Sequence, residues 1–154
     1  CLVGSEMCIR DSYNTALWLR GKKVLFTGDA GKEALILGNK YANSIHIDLK
    51  YVNIYQIPHH GSRHNVTPSV MDMIVGPILP LEEKNGKIAF AAVSMNSDHP
   101  KKMVVNAFIR RGCNVYSTIK GNTICHHYGD MPVRTGWSIV DHHSFETKVE
   151  DWEV

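Results

Sequence analysis

Between Asn14 and Ser117 the apolar residues fall into blocks whose spacing alternates between that of a strand and that of a helix. Asn14–Arg20 and Lys23–Thr27 are two apolar stretches separated by Gly21-Lys22, and a glycine at the first turn position predicts a tight hairpin. Gly31–Leu37 reads as a short helix stopped at Gly38. His46, between Ile45 and Ile47, reads as a strand residue with one polar face. Tyr51–Ile57 is the next strand, ended by Pro58. Thr67-Pro68 opens a helix with a capping hydroxyl and a proline at the first helical position. Val70, Met71, Ile74 and Val75 supply its buried stripe. Ile88–Ser94 is a continuous apolar run, as expected of a strand covered on both faces. A helix over Pro100–Arg111, with Met103, Val104, Ala107 and Phe108 on one face, closes at Gly112. Asn114–Ser117 and Thr123–His127 form a last strand pair around Gly121-Asn122. Alternation of this kind predicts an α/β layered domain, one sheet with flanking helices.

The two ends have a different character. Residues 1–12, Cys-Leu-Val-Gly-Ser-Glu-Met-Cys-Ile-Arg-Asp-Ser, resemble the conceptual translation of a sequencing-library adaptor, so they are left out of the fold reading. The domain is then expected over 13–128, with 129–154 an extension. Gly129-Asp130-Met131-Pro132 breaks the pattern, Trp137–Val140 is one more candidate strand, and acidic Glu146–Val154 reads as an exposed tail or a contact for other sequence. Seventeen Lys and Arg against fifteen Asp and Glu leave a net charge of +2, so charge alone selects no nucleic-acid partner. No apolar run approaches the ~18 residues of a membrane helix. With Cys1 and Cys8 set aside, Cys113 and Cys125 remain. They do not form a C-x-x-C pair, which speaks against a disulfide framework or a cysteine zinc site. The compartment stays open, with a reducing cytoplasm the default.

Chemistry concentrates where apolar runs end. Val24-Leu25-Phe26-Thr27-Gly28 ends in the carboxylate of Asp29, and Ile57-Pro58 ends in His59 and His60. Carboxyl ends of neighbouring strands can converge, and a carboxylate with an imidazole is half of a site for Zn, Mn or Fe. Asp29 can equally cap a helix starting near Gly31. Adjacent strand residues point to opposite faces, so His59 and His60 can share one metal only if the strand has ended, as Pro58 allows. Of the two, His60 is taken as the metal ligand and His59 as the substrate-facing neighbour. Ser62 and Arg63 are the candidate substrate-binding residues, although an exposed loop explains Arg63 and His64 equally well. His99 is a candidate proton donor, or an oxyanion binder alongside the N-terminus of the helix beginning at Pro100. His126-His127 and His142-His143 are read as structural or surface residues, because neighbouring strand positions diverge.

Taken in order, these pieces resemble the C-terminal half of a metallo-β-lactamase-fold hydrolase. The branch is that of the hydrolase domain of ComEC-type competence proteins and the phosphorylcholine esterases. Asn14-Thr15-Ala16-Leu17-Trp18-Leu19 resembles its Asn-x-Ser-Leu-Val-Leu strand, and Leu25-Phe26-Thr27-Gly28-Asp29 its Leu-Leu-Thr-Gly-Asp. Pro58-His59-His60-Gly61-Ser62 matches its Pro-His-His-Gly-Ser, and Asn96-Ser97-Asp98-His99-Pro100 stands where the branch has Asn-x-Tyr-Gly-His-Pro. Gly112-Cys113-Asn114-Val115-Tyr116-Ser117-Thr118 and Gly121-Asn122-Thr123-Ile124 resemble its closing motifs.

The resemblance implies half of an αββα sandwich. Its activity would use a metal-bound hydroxide on two zinc ions, with Mn or Fe as substitutes. Asp29 would bridge the metals, His60 would bind one, and His99 and His59 would act as catalytic groups. The implied substrate is a phosphodiester, with DNA one candidate. The family's His-x-His-x-Asp-His motif belongs to its N-terminal half, so the implied partner of this chain is that other half, and the piece alone is expected to lack a complete site. A carboxylic ester, thioester or lactone hydrolase of the same fold is the alternative activity. A binding module that has lost its metals is the alternative class. A half sandwich also predicts an uncovered sheet face, for which Leu17, Leu19, Leu25, Ile88, Phe90 and Ala92 are the candidates.

Overall fold

A computed structural model describes residues 15–19, 22–120, 135–136 and 140–150, the first of these segments by its backbone. The adaptor-like segment, the Gly21 turn, Thr123–His127, Cys125 and most of the Trp137 strand fall outside the described residues.

Strands β1 (Thr15–Leu19) and β2 (Lys22–Phe26) form an antiparallel pair, in register from Thr15↔Phe26 to Leu19↔Lys22, so Lys22, expected in the turn after Gly21, is instead the first residue of β2. Helix α1 (Lys32–Ser44) leads to β3 (Ile54–Gln56), α2 (Pro68–Ile74) to β4 (Ile88–Ala91), and α3 (Lys102–Ile109) to β5 (Asn114–Ser117). The sheet order is β1-β2-β3-β4-β5, with β2 to β5 parallel. The molecule is therefore α/β.

Each crossover moves one strand in the same direction. Right-handed connections then place all three helices on one face. That face holds the register row Leu25–Tyr55–Ala89–Val115, which is buried with Leu35, Ile57, Val70, Met71, Ile74, Val104 and Phe108 in one cluster. The opposite row, Val24–Ile54–Ile88–Asn114, and its neighbours Phe26, Phe90 and Tyr116 lie outside that cluster. Of the residues expected on an uncovered face, Leu25 is therefore corrected. Its register with Tyr55 and Ala89 turns it to the helix side, where it is buried, while Ile88 and Phe90 point the other way; Ile88 is nevertheless buried, against expectation, and Phe90 is part-exposed. Ala92 lies beyond the end of β4.

Several boundaries also differ from expectation. The first helix does not stop at Gly38, which lies on its buried face with Leu35, Asn39 and Ala42. It ends after Ser44, where His46 takes φ 61°. The His46 N–H there donates to Asn43 O and the Ile47 N–H to Ala42 O. This is the Schellman pattern with histidine where glycine is usual, so His46 is not a strand residue. Tyr51 belongs to a 3-10 turn, Leu49–Tyr51, capped by the Asp48 carboxylate, and the strand begins only at Ile54. Helix α2 opens as its sequence predicts, with Thr67 Oγ1 accepting from the Val70 N–H.

The acidic stretch after residue 140 is docked rather than free up to Glu150. The His143 N–H donates to Val115 O at the β5 edge, and Phe145 packs against the core. The Asn106 amide bonds both the N–H and the C=O of Glu146.

Candidate functional site

Every functional candidate sits at the carboxyl ends of the parallel strands, where open α/β sheets bind ligands. Past β2, the Thr27 hydroxyl donates to Gln56 O at 2.9 Å, and the Gln56 side-chain oxygen accepts from the N–H groups of Thr27 (3.1 Å) and Gly28 (3.0 Å). The His59 N–H donates to Gly28 O at 2.9 Å. Two strand ends are thereby tied together, and Gln56 does most of the tying.

Beyond Pro58 the chain turns sharply, with His59 at φ 46° and His60 at φ 57°. These left-handed conformations are uncommon for residues with a side chain and concentrate at functional sites. Gly61 follows at φ 91°, and its backbone passes so close to Pro100 that an added Cβ would lie 2.4 Å from the proline Cβ. The Lys101 N–H donates to Gly61 O, which fastens the His59-His60 turn to the His99-Pro100 segment. Thr118, past β5, exchanges hydrogen bonds with the Val93 backbone and holds the end of β4.

Asp29 and His60 converge. His60 Nε2 lies 3.5 Å from Asp29 Oδ1, with both side chains more than half exposed. His60 Nδ1 is 2.5 Å from Ala92 O. A carbonyl can only accept, so Nδ1 carries the hydrogen and Nε2 is directed at Asp29. Asp29 does not cap α1, whose N-cap is Gly31 with no side-chain bond. Two ligands on a tetrahedral zinc, with bonds of ~2.0–2.1 Å, stand roughly 3.3 Å apart, so this pair fits as two donors to one cation. Among the described residues no third His, Cys, Asp or Glu joins them. A catalytic zinc needs three protein ligands, and the pair supplies two of them.

Beside this pair lies a cavity of ≈ 450 Å³ that brings together His59, His60, Ser62, Arg63 and His99, with His64 and Lys101. The rest of its wall is Val93, Ser94 and Ser97, so the lining is basic and carries no carboxylate. His99 Nδ1 is 2.7 Å from Asp98 Oδ1, and Lys101 Nζ is 2.8 Å from Asp98 Oδ2. The Lys101 and His99 hydrogen bonds hold the Asp98 carboxyl below its ordinary range. An ionised carboxylate only accepts, so His99 donates from Nδ1 and leaves Nε2 for other partners.

The N-terminus of the helix after His99 is occupied within the chain and does not stand open to an oxyanion. That helix begins at Lys102, and its first amides are taken by Glu150, whose oxygens accept from the N–H groups of Lys102 (2.7 Å) and Met103 (3.3 Å). Of the remaining histidines, His143 Nε2 lies 2.8 Å from Ser117 Oγ and His142 stands at the edge of the Tyr116 ring, whereas His126 and His127 fall outside the described residues. Cys113 is fully buried, and burial pushes its thiol up to about 12.

Gln56, Asp98, Lys101 and Thr118 were not singled out in the sequence. Only Asp98 and Lys101 carried a signal, as charged residues flanking His99-Pro100. No protein-family model, curated protein or solved structure matches this chain.

Proposed function

We propose that this chain is the C-terminal half of a metallo-β-lactamase-type sandwich and contributes to a metal-dependent phosphodiesterase. The observation that carries the reading is the Asp29–His60 approach at 3.5 Å beside a basic cavity. Asp29 and His60 are the metal donors, with zinc favoured and Mn or Fe compatible with the same oxygen and nitrogen ligands. A bound cation would supply Lewis acidity and lower the pKa of a hydrolytic water.

Arg63 and Lys101 hold the anionic phosphodiester in the cavity, Ser62 lines its floor, and His59 faces the substrate. His99, with Nδ1 engaged by Asp98, delivers a proton from Nε2 to the leaving oxygen. A wall of imidazole, guanidinium and ammonium groups with no carboxylate suits an anion better than a neutral ester or lactone, and DNA is among the phosphodiesters it would admit. The other half of the domain would supply the remaining ligands and cover the helix-free face at Val24, Phe26, Ile54 and Phe90.

Zinc titration with hydrolysis of bis-p-nitrophenyl phosphate tests the reading. This chain alone is expected to bind zinc weakly, and two tightly held ions per chain would refute the half-site. In the complete domain Asp29→Ala should abolish turnover. An unchanged rate would remove Asp29 from the chemistry and favour a binding module without metals.

A further inference from the structure

His60 offers a lone pair toward Asp29 only while its other ring nitrogen keeps the hydrogen. Two influences compete for that hydrogen. The Asp29 carboxylate, with Oδ1 3.5 Å from Nε2, draws it to Nε2, because a negative oxygen favours a donor opposite it. The Ala92 carbonyl, 2.5 Å from Nδ1, holds it on Nδ1. The His60 side chain is more than half exposed, so water would replace that carbonyl wherever the carbonyl were free to swing away.

The carbonyl is not free. Ala92 C=O and Val93 N–H belong to one peptide plane. The Val93 N–H donates to Thr118 Oγ1 at 2.8 Å, and the Thr118 hydroxyl donates in turn to Val93 O at 2.6 Å. The Thr118 N–H also donates to Ala91 O at 3.2 Å, so this residue past β5 grips the chain on both sides of Ala92. Its one hydroxyl hydrogen is committed to Val93 O, which leaves the oxygen lone pairs for the Val93 N–H. His60 Nδ1–H, the Ala92–Val93 peptide and Thr118 Oγ1 therefore form one continuous line, in which each hydrogen bond polarises the next.

We propose that Thr118 is a positioning residue for His60: it fixes the peptide plane that keeps the ring in its Nδ1–H form and turns Nε2 to Asp29. Partners of this kind orient a metal-binding imidazole and set its tautomer without touching the metal, and their loss weakens metal binding ~10–100-fold. The effect on metal binding rests on the Asp29–His60 reading above, whereas the choice of tautomer does not.

Nitrogen-15 NMR of the histidine rings of the full chain, recorded with His60 neutral, tests the proposal, followed by zinc titration of the same samples. The unsubstituted protein is expected to carry the His60 hydrogen on Nδ1. Thr118→Val, which removes the hydroxyl at nearly constant volume, should transfer it to Nε2 in most molecules, and Thr118→Ser, which keeps the hydroxyl, should not. Thr118→Ala serves the same purpose if the valine variant does not fold. Zinc, bound weakly by the unsubstituted chain, should bind about tenfold more weakly to Thr118→Val than to Thr118→Ser. A ring protonated at Nε2 in the unsubstituted protein, or an Nδ1–H form undiminished without the Thr118 hydroxyl, would overturn the proposal. A tautomer that follows Thr118 in a chain that binds no zinc would support it and remove the metal reading. Zinc binding beside an unresponsive tautomer would do the opposite.

Discussion

His59 and His60 hold left-handed backbone that costs a residue with a side chain roughly 1–2 kcal/mol. His60 recovers part of that through its bond to Ala92 O, whereas the His59 ring is exposed and stands T-shaped to the His60 ring, with centroids 6.0 Å apart. His59→Gly is therefore expected to stabilise the fold by about 1 kcal/mol. Equilibrium urea unfolding would show it as a higher midpoint at unchanged slope. Gly61→Ala works in the opposite sense. It combines φ 91° with a Cβ 2.4 Å from Pro100, so strain and overpacking together predict a loss of about 2–4 kcal/mol in the same experiment. Asp29, His59, His60 and His99 were legible in the sequence because metal-ligating and titratable side chains stood where apolar runs ended. Gln56 was not, since it acts by accepting two backbone N–H groups across the sheet, and only the register of β2 on β3 reveals them. The partnership of Asp98 with His99 depends on loop geometry, which residue spacing does not encode.

Strand and helix spacing located the elements, and local chemistry set where they end. Helix α2 and β5 follow their sequence signals because a Thr-Pro cap and a short β-branched and aromatic run are local signals, whereas pairing with Leu19 draws Lys22 out of its expected turn and into β2. Helix α1 outran its expected stop because Gly38 continues the buried stripe of Leu35, Asn39 and Ala42. An isolated glycine in a helix costs only ~1 kcal/mol, which the packing of that stripe can offset. The real stop is the turn at His46, at φ 61° and exposed. Glycine is the residue that geometry favours. His46→Gly should therefore raise stability by about 0.5–1 kcal/mol in thermal or urea unfolding and leave the helix content by circular dichroism unchanged. A loss of stability would show that the imidazole makes a contact worth more than the strain it carries.

At the scale of the whole molecule, residues 140–150 dock on two consecutive elements, β5 and α3, that already pack together in the core. They hold the edge strand through His143 and the start of α3 through Glu150. Both anchors are pH-sensitive in the same direction. Burial lowers the pKa of His143 below its ordinary ~6.5, Lys120 adds to the effect, and Glu146 opposes it. The released segment thus binds a proton more readily than the docked one. The His143 contribution is complete above ~6.5 and is lost as pH falls toward the docked value. Burial alone would raise the Glu150 carboxyl, but the Lys102 and Met103 N–H groups outweigh it and bring it below its ordinary ~4.3. Its contribution is present above ~4.3 and disappears as pH falls through the docked value, together with a favourable charge at the helix N-terminus. Acidification should therefore loosen the segment in two steps. Hydrogen-exchange protection of the Lys102, Met103 and His143 amides, corrected for intrinsic rates, would resolve them. Glu150→Gln should remove the lower step and spare the upper one. Protection that rises on acidification would contradict the assignment of both groups, since each stabilises docking in its deprotonated form.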